Sequence, residues 1–275
     1  MNRIYKFLKT SFAIAFTLTT FVFTFVPDSF FSHGFILVDF QDDAIIACNK
    51  LLCLISIAIL TVVCNFIYKR WIQTSYNIPG NGYEIVVEYG DIFDKQDCKK
   101  VISFDECYTT HVGDMPSDIK ASSICGQFLA KYQDEDFEQI IRSSGLEPTG
   151  KRSGYQKKEC YKSGSLVPYN EYLLLAFTKL DKDGLGRMSR EDFLQCLETL
   201  WKELDKYHAD QSVVIPILGS GVTRFKDELL SQQQLLDMII ASYKLSPYKM
   251  KHPYELHIVC RKDDNFSLNK IGEYI

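Results

Sequence analysis

The sequence predicts two N-terminal transmembrane α-helices followed by an α/β/α domain with a mixed, largely parallel sheet. Three observations predict it. Nearly all the long apolar runs lie in the first 70 residues, a stretch rich in Pro, Gly and Asn follows, and beyond it strand-like apolar runs alternate with amphipathic helical ones. A formal net charge of -4 gives no basic field to attract a phosphate backbone, which argues against long nucleic acid as a partner. The 9 cysteines, an odd number, fall at no CxxC or Cys/His ligand spacing and read as scattered reduced thiols, with no metal site expected.

The first helix follows Arg3, Lys6 and Lys9, with Thr10 to Val26 uncharged. With Phe7 and Leu8 it is long enough to cross a bilayer core, at about 1.5 Å per residue. Its end, Phe23-Thr24-Phe25-Val26-Pro27, lacks the small-residue cleavage site of a signal peptide, so the helix is read as retained. The second run, Leu51 to Tyr68, carries no charge and meets Lys69, Arg70 and Trp71 at once. The helices are expected over about 8–26 and 48–70, in a hairpin unit of residues 1–74. Pro27 to Asn49 holds Asp28, Asp39, Asp42 and Asp43 without Lys or Arg, so both ends are expected on the cytoplasmic side. Lys50 is expected to snorkel to the outer interface. The hydroxyls of Thr10, Ser11, Thr17, Thr19, Thr20 and Thr24 either line a contact or, more simply, bond back to their own helix.

Residues 75–82, Ser-Tyr-Asn-Ile-Pro-Gly-Asn-Gly, read as a linker, and 83–275 as one domain. Strands are expected at 83–89, 100–104, 155–161, 172–180, 212–218 and 255–260. Helices are expected at 117–131, 134–143, 190–207 and 226–243. Ser189 is a plausible N-cap, with Asp192 a short version of the usual capping-box Glu.

Three constellations bear on chemistry. Asp181 to Asp192 has the acids at positions one and three and the glycine at six of an EF-hand, but Leu185 stands at five and the short Asp192 at twelve. It reads as a strand-to-helix turn. Val213 to Leu218 runs into Gly219-Ser220-Gly221-Val222-Thr223-Arg224 and then a helix. Such a turn offers backbone N–H groups to an anion such as a diphosphate, though it is equally often only a turn. Val86 to Tyr89 stops at Gly90 and presents Asp91 and Ile92 at a strand's carboxyl end, where a carboxylate suits an adenine amino group or simply caps a turn.

Gly90-Asp91-Ile92 and Gly219-Ser220-Gly221-Val222, in that order and strand context, resemble a macro domain, the ADP-ribose-binding α/β/α module, from Tyr83 onward. The resemblance implies that Asp91 and Ile92 contact the base and that Gly219, Ser220, Gly221, Val222, Thr223 and Arg224 hold the phosphates. Ser123 and Gly126 join the ligand set, with Phe104, Asp105 and Glu106 as further candidates. Where ADP-ribosyl hydrolases of the family carry an asparagine-rich stretch and a triple-glycine loop, this chain has Ser103 to Thr110 and Ile119 to Gly126. A sensor without catalytic residues or cofactor is therefore expected; a membrane-tethered ADP-ribosyl hydrolase is the alternative, with Asp105 and Glu106 as its local acids.

The pairing of two membrane helices with such a domain more closely resembles the membrane effectors of type II Thoeris anti-phage defence. That implies a TIR-domain partner making an ADP-ribose conjugate, histidine-linked in this subtype. The macro domain binds it, and the effector assembles as a homo-oligomer and damages the bacterial inner membrane. Asp105, Glu106 and Asp114 are candidates for the conjugate's amino end.

Overall fold

The computed structural model describes residues 3–32, 42–68, 74–221, 223–225, 230–263 and 265–272. The chain forms two compact units, residues 1–73 and 74–275.

In the first unit, helix α1 (Arg3–Phe25) and helix α3 (Asp42–Ile67) pack together, with a single turn, α2 (Asp28–Phe31), after the first. Phe7–Phe25 and Asp43–Ile67 are long and apolar enough to cross a membrane. The contact is made by small residues: Ser11, Ala15 and Thr19, four apart on α1, are buried. The hydroxyls of Ser11, Thr17, Thr19, Thr20 and Thr24 donate to the carbonyl four residues back, as the simpler reading held. Asn65 Nδ2 donates to Ser11 Oγ at 2.8 Å and Asn49 Nδ2 to the Phe31 carbonyl at 2.7 Å. Phe12, Phe16, Phe21 and Phe25 on α1 and Leu51, Ile55 and Ile59 on α3 stay exposed, apolar surface suited to lipid. Lys50 pairs with Asp28 at 2.6 Å. Asp39, Lys69, Arg70 and Trp71, used for orientation, lie outside the described residues.

The second unit is a nine-stranded sheet ordered β1-β2-β9-β7-β3-β5-β6-β8, with β4 also paired to β5. Its strands are β1 (Ser75–Pro79), β2 (Glu84–Tyr89), β3 (Cys98–Asp105), β4 (Leu166–Tyr169), β5 (Tyr172–Leu180), β6 (Gly186–Met188), β7 (Ser212–Pro216), β8 (Arg224–Phe225) and β9 (Leu256–Cys260). The five central strands β2, β9, β7, β3 and β5 run parallel, while β1, β4 and β6 pair antiparallel. Parallel strands need cover on both faces, and alternate side chains supply it. Val213 and Ile215 join Ile85, Leu173 and Leu175 under α6 (Arg190–Tyr207) and α7 (Gln232–Leu245). Val214 joins Ile102 and Leu174 under α4 (Ile124–Lys131) and α5 (Phe137–Ser143). The expected three-layer fold is the observed one.

Helix starts follow their caps. Ser189 Oγ accepts from Asp192 N at 3.0 Å while Asp192 Oδ2 accepts from Ser189 N at 3.4 Å, so the short aspartate does close a capping box. Ser231 and Gln234 form a second box that starts α7 at Gln232; residues 226–229, where that helix was expected to begin, lie outside the described residues.

Three expectations need correction. Residues 75–82 are not a linker: 75–79 form β1, paired residue for residue with β2 around a turn in which Gly80 N donates to the Tyr83 carbonyl. Proline at the end of an edge strand costs no ladder bond, which hid the strand. Residues 155–161 are not a strand, because Gln156 and Lys157 take left-handed φ of 54° and 52° and only an isolated bridge joins Arg152 to Glu159. The helix expected from 117 begins only at Ile124, after the Ser123 cap.

Because β1 covers the outer edge of β2 and Ile78 is buried, a fragment beginning at Tyr83 should be less stable than one beginning at Thr74. Lost burial of the isoleucine alone is worth about 1.5–3 kcal/mol. Urea unfolding of the two fragments reads the difference, and equal midpoints would remove β1 from the domain.

Candidate functional site

The carboxyl ends of the five parallel strands open on one edge, and there a cleft of about 470 Å³ is lined by residues following each of them. Gly90, Asp91 and Ile92 come from the end of β2, Ser103, Phe104 and Asp105 from β3, Phe177, Thr178 and Leu180 from β5. Pro216 to Gly221 follow β7, and Val259 to Asp263 follow β9. The start of α4 contributes Ser123, Ile124 and Cys125, and the preceding loop Pro116 to Lys120. Ligands of open α/β sheets bind on this edge.

Asp91 caps a 3₁₀ turn at Ile92–Asp94, its Oδ1 accepting from Phe93 N at 3.0 Å. The residue is otherwise exposed, so its second oxygen is open to a donor; Ile92 below it is buried. The turn-cap reading of this aspartate holds, and the capping residue also lines the cleft. Two strands along, the chain leaves β7 through a turn held by Ser220 N and Ser220 Oγ, both donating to the Ile217 carbonyl, at 3.3 and 2.7 Å. Gly219 is left-handed at φ +83°, and a Cβ there would stand 3.1 Å from the Phe225 ring. Gly221 has open space around it.

Asp105 sits where β3 slips register against β5, between Phe104 and Asp105. Such a bulge re-aims the side chain. Oδ1 accepts from Cys107 N at 2.7 Å and Thr109 N at 3.3 Å, and Oδ2 accepts from the Thr109 hydroxyl. Burial pushes its carboxyl above the usual range despite those donors. It is a cleft residue whose bonding capacity is largely spent on its own turn.

Of the remaining candidates, Thr223 lines the cleft, and Arg224 stands outside the lining, in β8 beside Arg187 of β6. Ser123 lines it while accepting from Gly126 N at 3.0 Å, so Gly126 spends its N–H on the cap. A Cβ on Gly126 would stand 2.3 Å from the Lys120 carbonyl, which makes that glycine a packing requirement. Glu106 faces away, its Oε1 accepting from Leu180 N at 3.2 Å. Asp114 is absent from the lining, and Val222 lies outside the described residues. The positive charge missed from sequence is Lys120, Arg261 and Lys262, all in the lining. The last two follow β9 directly, so the rule that ligands sit beyond strand carboxyl ends would have found them.

A family model described as "Thoeris protein ThsA, Macro domain" matches residues 85–261. The chain belongs to this Thoeris ThsA macro-domain family. It is 26% identical over 279 residues to the Thoeris protein ThsA of Bacillus amyloliquefaciens (strain Y2), covering 98% of this chain and 89% of that protein. Among solved structures it is similar to a macrodomain mutant of Oceanobacillus iheyensis, with 11% identity, a TM-score of 0.42, and 74% of this chain and 94% of that one covered. The Oceanobacillus iheyensis macrodomain solved with ADP gives 9% identity and a TM-score of 0.39, covering 69% and 89%.

The EF-hand-like segment belongs to the same wall of the cleft, through Gly184 and Gly186. Its first acid is used internally: Asp181 Oδ1 accepts from Asp183 N and Leu185 N, both at 2.9 Å, and Oδ2 from Arg187 Nε. The expected strand-to-helix turn is interrupted by a strand: the segment turns into β6, a hairpin with β5, before α6 begins at Arg190. The Arg187 guanidinium holds the Asp181 carboxyl below the usual range, so the pair stabilises above the unfolded aspartate value and is lost as pH falls through the folded one. Asp181→Asn should therefore cost about 0.5–1 kcal/mol near pH 7, by urea unfolding, and progressively less as the pH falls below the usual carboxylate range. A gap that persists in acid would refute the pairing. Millimolar calcium should leave the melting temperature unchanged.

Proposed function

We propose that the cleft is the receptor site for an ADP-ribose-type signal and that the chain is a bacterial anti-phage defence effector which responds to it at the inner membrane. The observation that carries the reading is the presence, in the lining of one cleft, of the exposed Asp91 carboxylate and the Gly219–Gly221 turn. A carboxylate suits an exocyclic amine, and a glycine turn lets backbone N–H groups approach a diphosphate. Lys120, Arg261 and Lys262 supply the countercharge. The signal is a histidine–ADP-ribose conjugate made by a TIR-domain enzyme, the partner that the family resemblance implies. Binding brings copies together as a homo-oligomer, and the hairpin disrupts the bilayer, killing the cell.

The reading is of a sensor and not a hydrolase. Asp105, the cleft acid that a hydrolase reading would use, is engaged by three donors of its own turn, which speaks against its acting as a general base. Topology with both termini and the macro domain cytoplasmic follows from the basic flanks of the two apolar helices.

Calorimetry on the full chain in lipid nanodiscs should register ADP-ribose binding, and no heat at millimolar ligand would end this proposal. Asp91→Ala and Arg261→Ala should each weaken binding ten- to a hundredfold, the value of one charge-assisted hydrogen bond at about 1.5–3 kcal/mol. Arg224→Ala, outside the lining, should change it less. Incubation with ADP-ribosylated protein should release no ADP-ribose. Exchanging residues 1–73 for an unrelated two-helix anchor should keep binding and abolish toxicity in cells; retained toxicity would show that the hairpin is only an anchor.

A further inference from the structure

Behind the cleft wall, three side chains from distant parts of the chain converge. Glu106 and Cys107 stand on the turn after β3, and Cys160 on the loop ahead of β4. Their ligand atoms lie within 4.8 Å of one another, and the two sulfurs are 3.9 Å apart. Two thiolates on one tetrahedral zinc, each about 2.3 Å from the metal, stand about 3.8 Å apart. A disulfide would need them at about 2.05 Å.

The backbone around these groups is fixed. Glu106 N donates to the Thr178 carbonyl at 2.7 Å and Tyr161 N to the Glu106 carbonyl at 2.7 Å. The Cys160 carbonyl accepts from Thr149 N at 2.8 Å and from the Thr149 hydroxyl at 3.0 Å. Glu106 Oε1 accepts from Leu180 N, the kind of outer contact that orients a carboxylate ligand and leaves the other oxygen for the metal. Cys160 is buried, while Glu106 and Cys107 are half-buried, so the cluster is not sealed from solvent.

We propose that Glu106, Cys107 and Cys160 form a zinc site, completed by water, that ties the turn after β3 to the loop ahead of β4. Two soft sulfurs and one carboxylate in tetrahedral array select zinc over magnesium or calcium, which take oxygen ligands. Binding displaces the two thiol protons to solvent, leaving both sulfurs as thiolates on the metal. The site is separate from the signal cleft but shares a turn with it, since Cys107 N donates to Asp105 Oδ1. Zinc therefore steadies a cleft wall without touching the ligand.

Cobalt(II) is the probe, added to the full chain in detergent after reduction and chelation. One equivalent should give the thiolate-to-cobalt charge-transfer absorption and the strong visible bands of a tetrahedral centre, and zinc should displace it. Cys107→Ser and Cys160→Ser should each remove a large part of the charge-transfer band. Glu106→Gln should keep that band and weaken metal affinity roughly tenfold or more. Cys98→Ser should change nothing. The wild-type spectrum needs no variant, so a folding defect in one of them leaves the test standing. Absence of the band in the wild-type chain would overturn the proposal. So would a band of equal strength in the Cys107→Ser/Cys160→Ser chain, or a 107–160 disulfide that after reduction takes up no metal.

Discussion

Five parallel strands laid side by side are the constraint on which the rest of the domain depends. A parallel pair cannot close through a tight turn, so each strand must return over a face of the sheet, and both faces must be covered. That places α6 and α7 on one side and α4 and α5 on the other. It also brings the ends of β2, β9, β7, β3 and β5 to one edge, where the loops Gly90–Ile92, Pro216–Gly221 and Val259–Asp263 meet. The cleft is thus a consequence of strand direction. Asp91 and Gly219 are brought together by topology across more than a hundred residues of sequence, and neither has to reach.

How much of this was legible depended on burial. Strands covered on both faces show as continuous apolar runs, so Tyr172–Leu180 and the run into Pro216 were readable, and the amphipathic period and cap of α6 fixed that helix closely. The short pieces β1, β4, β6 and β8 were not readable, because two to five residues carry no periodic signal. In the site, the glycine turn and the strand-end aspartate were visible as local patterns. Lys120, Arg261 and Lys262 were not, since a lone lysine or arginine has no pattern until the fold sets it beside the others. Gly126 and Glu106 were read as ligand residues from their neighbourhood; the structure packs Gly126 against the Lys120 carbonyl and turns Glu106 to the Leu180 amide, away from the cleft lining.

The hairpin shows the same economy in a different solvent. Hydroxyls in an apolar helix need partners, and those of α1 find them one turn back, so most are satisfied before any second helix arrives. What remains for association is close approach along Ser11, Ala15 and Thr19, and the two asparagines, Asn49 and Asn65, each bonded outside its own helix. On α1 the buried stripe is Ser11, Ala15 and Thr19, while Thr17, Thr20 and Thr24 share the exposed surface with Phe12, Phe16, Phe21 and Phe25, their hydroxyls already bonded to their own helix.

One short turn joins the cleft lining to the cysteine pair. Asp105, Glu106 and Cys107 are consecutive, yet they face a cleft, a backbone amide of β5 and a partner cysteine in turn. The register slip at Asp105 makes this divergence possible, because an unbroken strand would send Asp105 and Cys107 to the same face. Tyr108, left-handed at φ +50°, closes the turn with its ring buried and its hydroxyl donating to the Ser165 and Leu174 carbonyls. A non-glycine residue in that conformation persists only where the surroundings hold it, and here they are the sheet itself. The turn cannot move at Cys107 without moving at Asp105, so order imposed at the cysteine pair is transmitted to the cleft wall through two peptide units and one hydrogen bond.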